Sequence, residues 1–196
     1  MTEPLEDKEY RQVKIREIIE QELQDGEDLA QEARNQIAFL LVEKKGYDQS
    51  DVRRGISFEV TLGTETAWSS ADFLVSVDGT PAMIIKCAAG SLDSRQRQVV
   101  AAARVIASPP LAVAVVADPA GAIVMDARTG KPVGEGFGAI PVKDQLRQIV
   151  AVSVGQALDP KRLDKEKRIL LAFDAIKCCV PQGKDGGVQI GEPEKP

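Results

Sequence analysis

The sequence predicts an α+β fold: an α/β/α sandwich with a mixed central β-sheet flanked by helices. Three observations predict it. Ile56, Phe58, Val60 and Leu62, and then Phe73, Val75 and Val77, alternate with polar residues, and Asp78-Gly79 follows as a hairpin turn. Leu111 to Ala117 is a continuous apolar run bounded by Pro110 and by Asp118-Pro119, the pattern of a central strand buried on both faces. Segments with helical spacing lie on both sides of this β-rich block.

The elements follow in chain order. Leu5 to Gln24 is charged and helix-favouring, with Val13, Ile15, Ile18, Ile19 and Leu23 as a partial stripe and Asp25-Gly26 as its end. A second helix is expected from Asp28 to Lys45, where Leu29, Ala33, Ile37, Leu40 and Leu41 recur at steps of three and four and Gly46 is the stop. Gly63-Thr64 turns the first strand into the second, and Met83 to Cys87 makes a third, so the three form a meander. Ser94 to Ala107 reads as a helix rich in Ala and Arg, broken by Pro109-Pro110. After the central strand, Ala122 to Met125 is a short strand, Asp126 to Lys131 a turn, and Val133 pairs back across it.

Two more helices are expected, Val142 to Ala157 and Lys161 to Cys179, the second with Leu163, Ile169, Leu170, Phe173 and Ile176 as its apolar side. From Pro181 onward, Gly, Pro and charge carry no periodicity. The organisation is thus an accessory helix over 1–26, a domain over 27–180 and a flexible tail over 181–196.

Composition narrows the function classes. With 25 basic and 30 acidic residues, the net charge of −5 argues against coating nucleic acid by bulk charge and leaves room only for a local phosphate-binding patch. The absence of histidine excludes imidazole general bases, Ser-His triads and His-Cys zinc sites. Cys87, Cys178 and Cys179 are odd in number and two are adjacent, so they make no disulfide framework and read as reduced thiols of a cytoplasmic protein. No secretory signal is read at the acidic, polar N-terminus, and no apolar run reaches the roughly 18 residues of a membrane span. Gly134, Gly136 and Gly138 alternate, but no P-loop Lys-Ser/Thr follows, so they read as a turn.

Several landmarks in order then carry a resemblance. They are Glu32-Ala33-Arg34, Gly46-Tyr47, Ala71-Asp72-Phe73, Ile84-Ile85-Lys86-Cys87, Ala101-Ala102-Ala103-Arg104, Val115-Val116-Ala117-Asp118, Asp126 to Lys131, and Arg168-Ile169-Leu170 with Ala172-Phe173. Over about residues 32–179 the chain resembles the PD-(D/E)xK nuclease superfamily. Within it, the chain is similar to small stand-alone proteins related to the N-terminal nuclease domain of type I restriction enzyme R subunits. The resemblance implies a restriction-endonuclease-like core. In active members, acids on the second and third strands hold Mg²⁺, and a lysine two residues after the third-strand acid meets the same phosphate. Positions i and i+2 of a strand share a face, which is why that spacing serves the chemistry. Mg²⁺ prefers carboxylates, phosphate oxygens and water.

Carried over position by position, the resemblance makes Asp72 the second-strand acid. It puts Lys86 at the third-strand acid position and Ala88 at the lysine position. Glu32 matches a helix carboxylate that joins the site in relatives, and Glu59 is a further acid on the preceding strand. Asp72 and Glu32 are the candidate metal ligands. Arg95, Arg97 and Arg104 join Lys86 in a stretch with only Asp93 as counter-charge, a candidate contact for a DNA backbone.

The leading expectation is a degenerate cleavage site, with the Lys86 ammonium neutralising Asp72, and a DNA-binding or scaffolding role that needs no cofactor. One alternative is an active Mg²⁺-dependent endodeoxyribonuclease using Asp72, Glu32 and Glu59, with Lys86 as its positive charge. Another is a protein–protein module without DNA contact. The partners expected are DNA, another protein or a second copy joined through the first helix, and no membrane.

Overall fold

The structure is a computed structural model and describes residues 5–89, 91–153 and 156–177. Its first helix, α1, spans Leu5–Phe39 and continues as one π-helical turn over Leu40–Lys44. The helix end expected at Asp25-Gly26 does not form. A glycine inside a helix costs only about 1 kcal/mol. Around it, Gln21 and Gln24 donate to Asp25 and Asp28 one turn on, at 2.7 and 3.0 Å, and carry the helix across. The stop at Gly46 does form, with the left-handed φ of +74° that glycine tolerates.

The β-rich block becomes a six-stranded sheet in sequential order. Its strands are β1 (Val52–Leu62), β2 (Glu65–Val77), β3 (Thr80–Cys87), β4 (Val113–Asp118), β5 (Gly121–Asp126) and β6 (Lys131–Glu135). Asp78 and Gly79 both take positive φ, 51° and 78°, the backbone that a two-residue hairpin between twisted strands requires. β1, β2 and β3 form the antiparallel meander; β3 and β4 run parallel; β5 and β6 return antiparallel. A parallel pair needs a crossover, and helix α2 (Leu92–Val105) supplies it. The sheet is therefore mixed, as the order of patterns predicts.

Helices cover both faces. Ala33, Ile37 and Leu41 of the first helical segment, with Leu146 of α3 (Lys143–Val152), pack on Phe73, Val75, Met83, Ile85 and Val115. Across the sheet, Val99 and Ala103 of α2 and Leu170 of α4 (Pro160–Lys177) pack on Leu74, Ile84, Ala114, Val116 and Met125. Val113 to Ala117 of β4 are buried on both sides, which accounts for the unbroken apolar run. The tail from Pro181, with Cys178 and Cys179, lies outside the described residues.

One buried charge cluster joins α2 to α4. Glu166 holds Arg104 at 2.7 Å through Oε1, and its Oε2 lies 2.7 Å from Arg97 Nη2 without the alignment of a hydrogen bond. Arg104 also donates to the carbonyls of Ala127 and Arg128 at 2.6 and 2.9 Å, tying the β5–β6 turn to the same point. Burial lowers the Arg104 pKa, and the charge and hydrogen bond of Glu166 act against that. Glu166→Ala would leave the Arg104 charge buried without its counter-charge, so urea unfolding should show a loss of about 3–5 kcal/mol. A loss under about 1 kcal/mol would mean that water reaches the cluster freely.

Candidate functional site

The candidate site lies where β2 and β3 separate. Their ladder ends at Phe73 opposite Ile85. Just before it the strand turns over: Ala71 packs with the α2–α4 side of the core and Phe73, two residues on, with the α1–α3 side. Gly55 of β1 sits opposite Asp72 in the register and takes φ +61°. Asp72, between the two packed neighbours, directs its carboxylate beyond the ladder. Oδ2 accepts the backbone N–H of Cys87 at 2.7 Å, and Oδ1 lies 3.4 Å from Arg34 Nη1. The carboxylate is mostly buried, 17 % exposed.

Arg34 comes from α1. Its guanidinium joins Asp72 to Glu27, a close ion pair one side of the helix, and its Nε donates to Gln31 at 3.1 Å. Burial works against its charge, but the hydrogen bonds and charges of Glu27 and Asp72 outweigh that and raise its pKa. Lys86 is buried at 8 % exposure, and its Nζ donates to the carbonyl of Ser70 at 2.9 Å. Ala88 is buried too, its N–H donating to Ala117 at 2.9 Å.

The other sequence candidates stand apart. Glu32 is exposed on α1 and accepts from Gln36 at 3.1 Å; two residues from Arg34, it projects from a different side of the helix. Glu59 is exposed on β1 opposite Trp68, four positions along the strand from Gly55. At about 3.3 Å per residue that is roughly 13 Å from the Asp72 position. Among the described residues, no three Asp, Glu, Cys or His side chains form a group able to hold a metal ion. The donor set at Asp72 does not fit Mg²⁺. Both oxygens of the one central carboxylate already meet N–H donors, and a guanidinium supplies one of them.

The three arginines of the candidate DNA contact are likewise divided. Arg104 is buried and Arg97 leans on the same glutamate, Glu166. Arg95, part-exposed, reaches Gln98 at 3.4 Å. Arg97 and Arg104 border an open groove with Arg162, whose Nη2 donates to the Arg128 carbonyl at 3.0 Å.

Sequence reasoning missed Arg34, Glu27 and Glu166. The signal for Glu166 is legible in hindsight: it falls between Leu163 and Leu170, inside the apolar stripe of α4, where an acid must be paired. Arg34 has no comparable signal, because its partner Asp72 is 38 residues away.

Comparison with known proteins adds the following. The family model described as type I restriction enzyme R protein N terminus (HSDR_N) matches residues 29–141. A fragment structure assigned to an HsdR subunit of a type I restriction enzyme from Vibrio vulnificus aligns at 16% identity with a TM-score of 0.45. The alignment covers 59% of this chain and 24% of that one, so this chain spans well under half of that chain's length. No curated protein matches the chain.

Cys87 is the titratable thiol of the site. Burial, and after it the Asp72 charge, push it from 9.0 up to about 12, while Arg34 and Lys86 pull less strongly the other way. Burial and the Asp51 charge raise the Tyr47 phenol above its ordinary 10.0 in the same direction. The unfolded chain releases both protons at lower pH than the folded one. Their contribution is complete below the unfolded values and is lost as pH rises toward the folded ones. Urea midpoints should therefore fall between about pH 8 and about pH 11. In a Cys178→Ser/Cys179→Ser variant, the remaining thiol should resist iodoacetamide until urea unfolds the chain; fast labelling of the folded form would contradict the assigned burial.

Proposed function

Since the chain belongs to the type I restriction enzyme R protein N-terminus family, we propose that it is a non-cleaving member that serves as a scaffold in a DNA-processing assembly. The carrying observation is the Asp72 carboxylate, engaged at both oxygens by Cys87 N–H and Arg34. A divalent cation arriving there would have to displace a guanidinium and would meet the Lys86 charge at the position of its second acid. Arg34 Nη1 lies 3.4 Å from Asp72 Oδ1. Like charges at such range oppose binding by an amount that one carboxylate does not repay. The missing lysine completes the argument: Ala88 has no group to stabilise charge developing on a phosphate.

Scaffolding is favoured over strong DNA contact because Arg97 and Arg104 spend their charge on Glu166 and the chain is acidic overall.

With supercoiled or linear DNA and either Mg²⁺ or Mn²⁺, the chain should leave the substrate intact, and Asp72→Ala should change nothing. Titration with Mn²⁺ should release no binding heat. Cutting that Asp72→Ala abolishes would establish the active nuclease instead. DNA binding read by anisotropy separates the remaining roles. Negligible binding at about 50 mM salt supports scaffolding, whereas binding that weakens steeply toward about 200 mM salt and with Arg95→Ala makes the domain a DNA contact.

A further inference from the structure

The N-terminal part of α1 extends past the sandwich. Burial along it begins at Ala30, and Gly26 lies beside Ala89 at the rim. Residues 5–25 therefore overhang by about 30 Å at 1.5 Å per residue. The described part of this overhang carries Ile15, Ile18, Ile19 and Leu23, each about half exposed, at 56, 54, 47 and 48 %. Ile15, Ile19 and Leu23 continue, at steps of three and four, the face that Ala30, Ala33, Ile37 and Leu41 bury against the sheet. The stripe is thus one surface, covered at its C-terminal end and bare at its N-terminal end. In proteins most helical stability comes from packing an amphipathic face, and the described part of this stretch packs none of its own.

Charge along the helix selects what covers it. Positions 8–16 carry Lys8, Arg11, Lys14 and Arg16 against Glu9 alone, whereas positions 17–28 carry six acids and no base. Two copies aligned in parallel would set the six acids of each against those of the other. Aligned antiparallel and crossing near Ile19, each basic half lies along the partner's acidic half, twice over by the two-fold symmetry. The antiparallel arrangement also sends the two sandwiches to opposite ends of the pair. We propose that this chain forms a homodimer through an antiparallel α1–α1 pair, with Ile15, Ile19 and Leu23 at its centre and the basic and acidic halves fixing its orientation. The inference is independent of whether the Asp72 site is silent.

Sedimentation equilibrium of the full chain at tens of micromolar should give twice the chain mass of 21.1 kDa. Ile15→Asp/Ile19→Asp should give a folded monomer whose Cys87 remains protected, because neither isoleucine contributes to the core. Lys14→Glu/Arg16→Glu should weaken the dimer at least tenfold, and adding Glu20→Lys/Glu22→Lys to the same chain should restore it. A native chain that sediments as a monomer would assign the stripe to a different protein and overturn the proposal. So would a dimer that the isoleucine pair does not affect, which places the interface elsewhere. Failure of the four-residue charge exchange to restore association would exclude the antiparallel orientation.

Discussion

The parallel pairing of β3 with β4 is the constraint on which the rest depends. Five residue pairs join these strands, from Met83 with Val113 to Cys87 with Ala117. A parallel neighbour cannot be reached by a tight turn, so the chain must leave the sheet, cross one face as α2 and re-enter. Both central strands are then apolar on both sides and demand helices above and below. α1 and α3 meet one demand and α2 and α4 the other. The same pairing ends β3 at Cys87, beside the end of the β2 ladder, which brings the Cys87 N–H and Asp72 to one place.

At that place the chemistry is decided by charge balance. One mostly buried carboxylate needs partners, and the Cys87 N–H and the Arg34 guanidinium supply them. Cys87 contributes its main-chain N–H because the ladder has stopped and the group would otherwise be unpaired. Arg34 contributes a full positive charge from α1, relayed onward to Glu27. The result is an ion-paired junction between the first helix and the sheet, one guanidinium between two carboxylates. It ties the first helix to the end of β2 through the Arg34–Asp72 contact. On the opposite face Arg104 and Glu166 play the same part for α2 and α4, locking the β5–β6 turn with them.

Much of the fold was legible in the sequence, and the reasons are local. Alternation over Phe73 to Val77, the Asp78-Gly79 pair and the apolar run ending at Asp118-Pro119 each express a backbone preference within a few residues. The family resemblance, by position, makes Asp72, Lys86 and Ala88 candidates for the site. What failed was the helix stop at Asp25-Gly26, where a weak intrinsic penalty was overridden by side-chain bonds across the turn.

Sequence alone determined the order of helices and strands, the mixed sheet they form, and the lack of imidazole chemistry. Only the tertiary structure decided who neutralises Asp72, where Glu59 and Glu32 stand, and that Arg97 and Arg104 share Glu166. The division has one physical cause. Patterns of burial and turn preference act between near neighbours and are written along the chain. Ion pairs such as Arg34 with Asp72, 38 residues apart, are set by the packing of whole elements, and no local pattern encodes them.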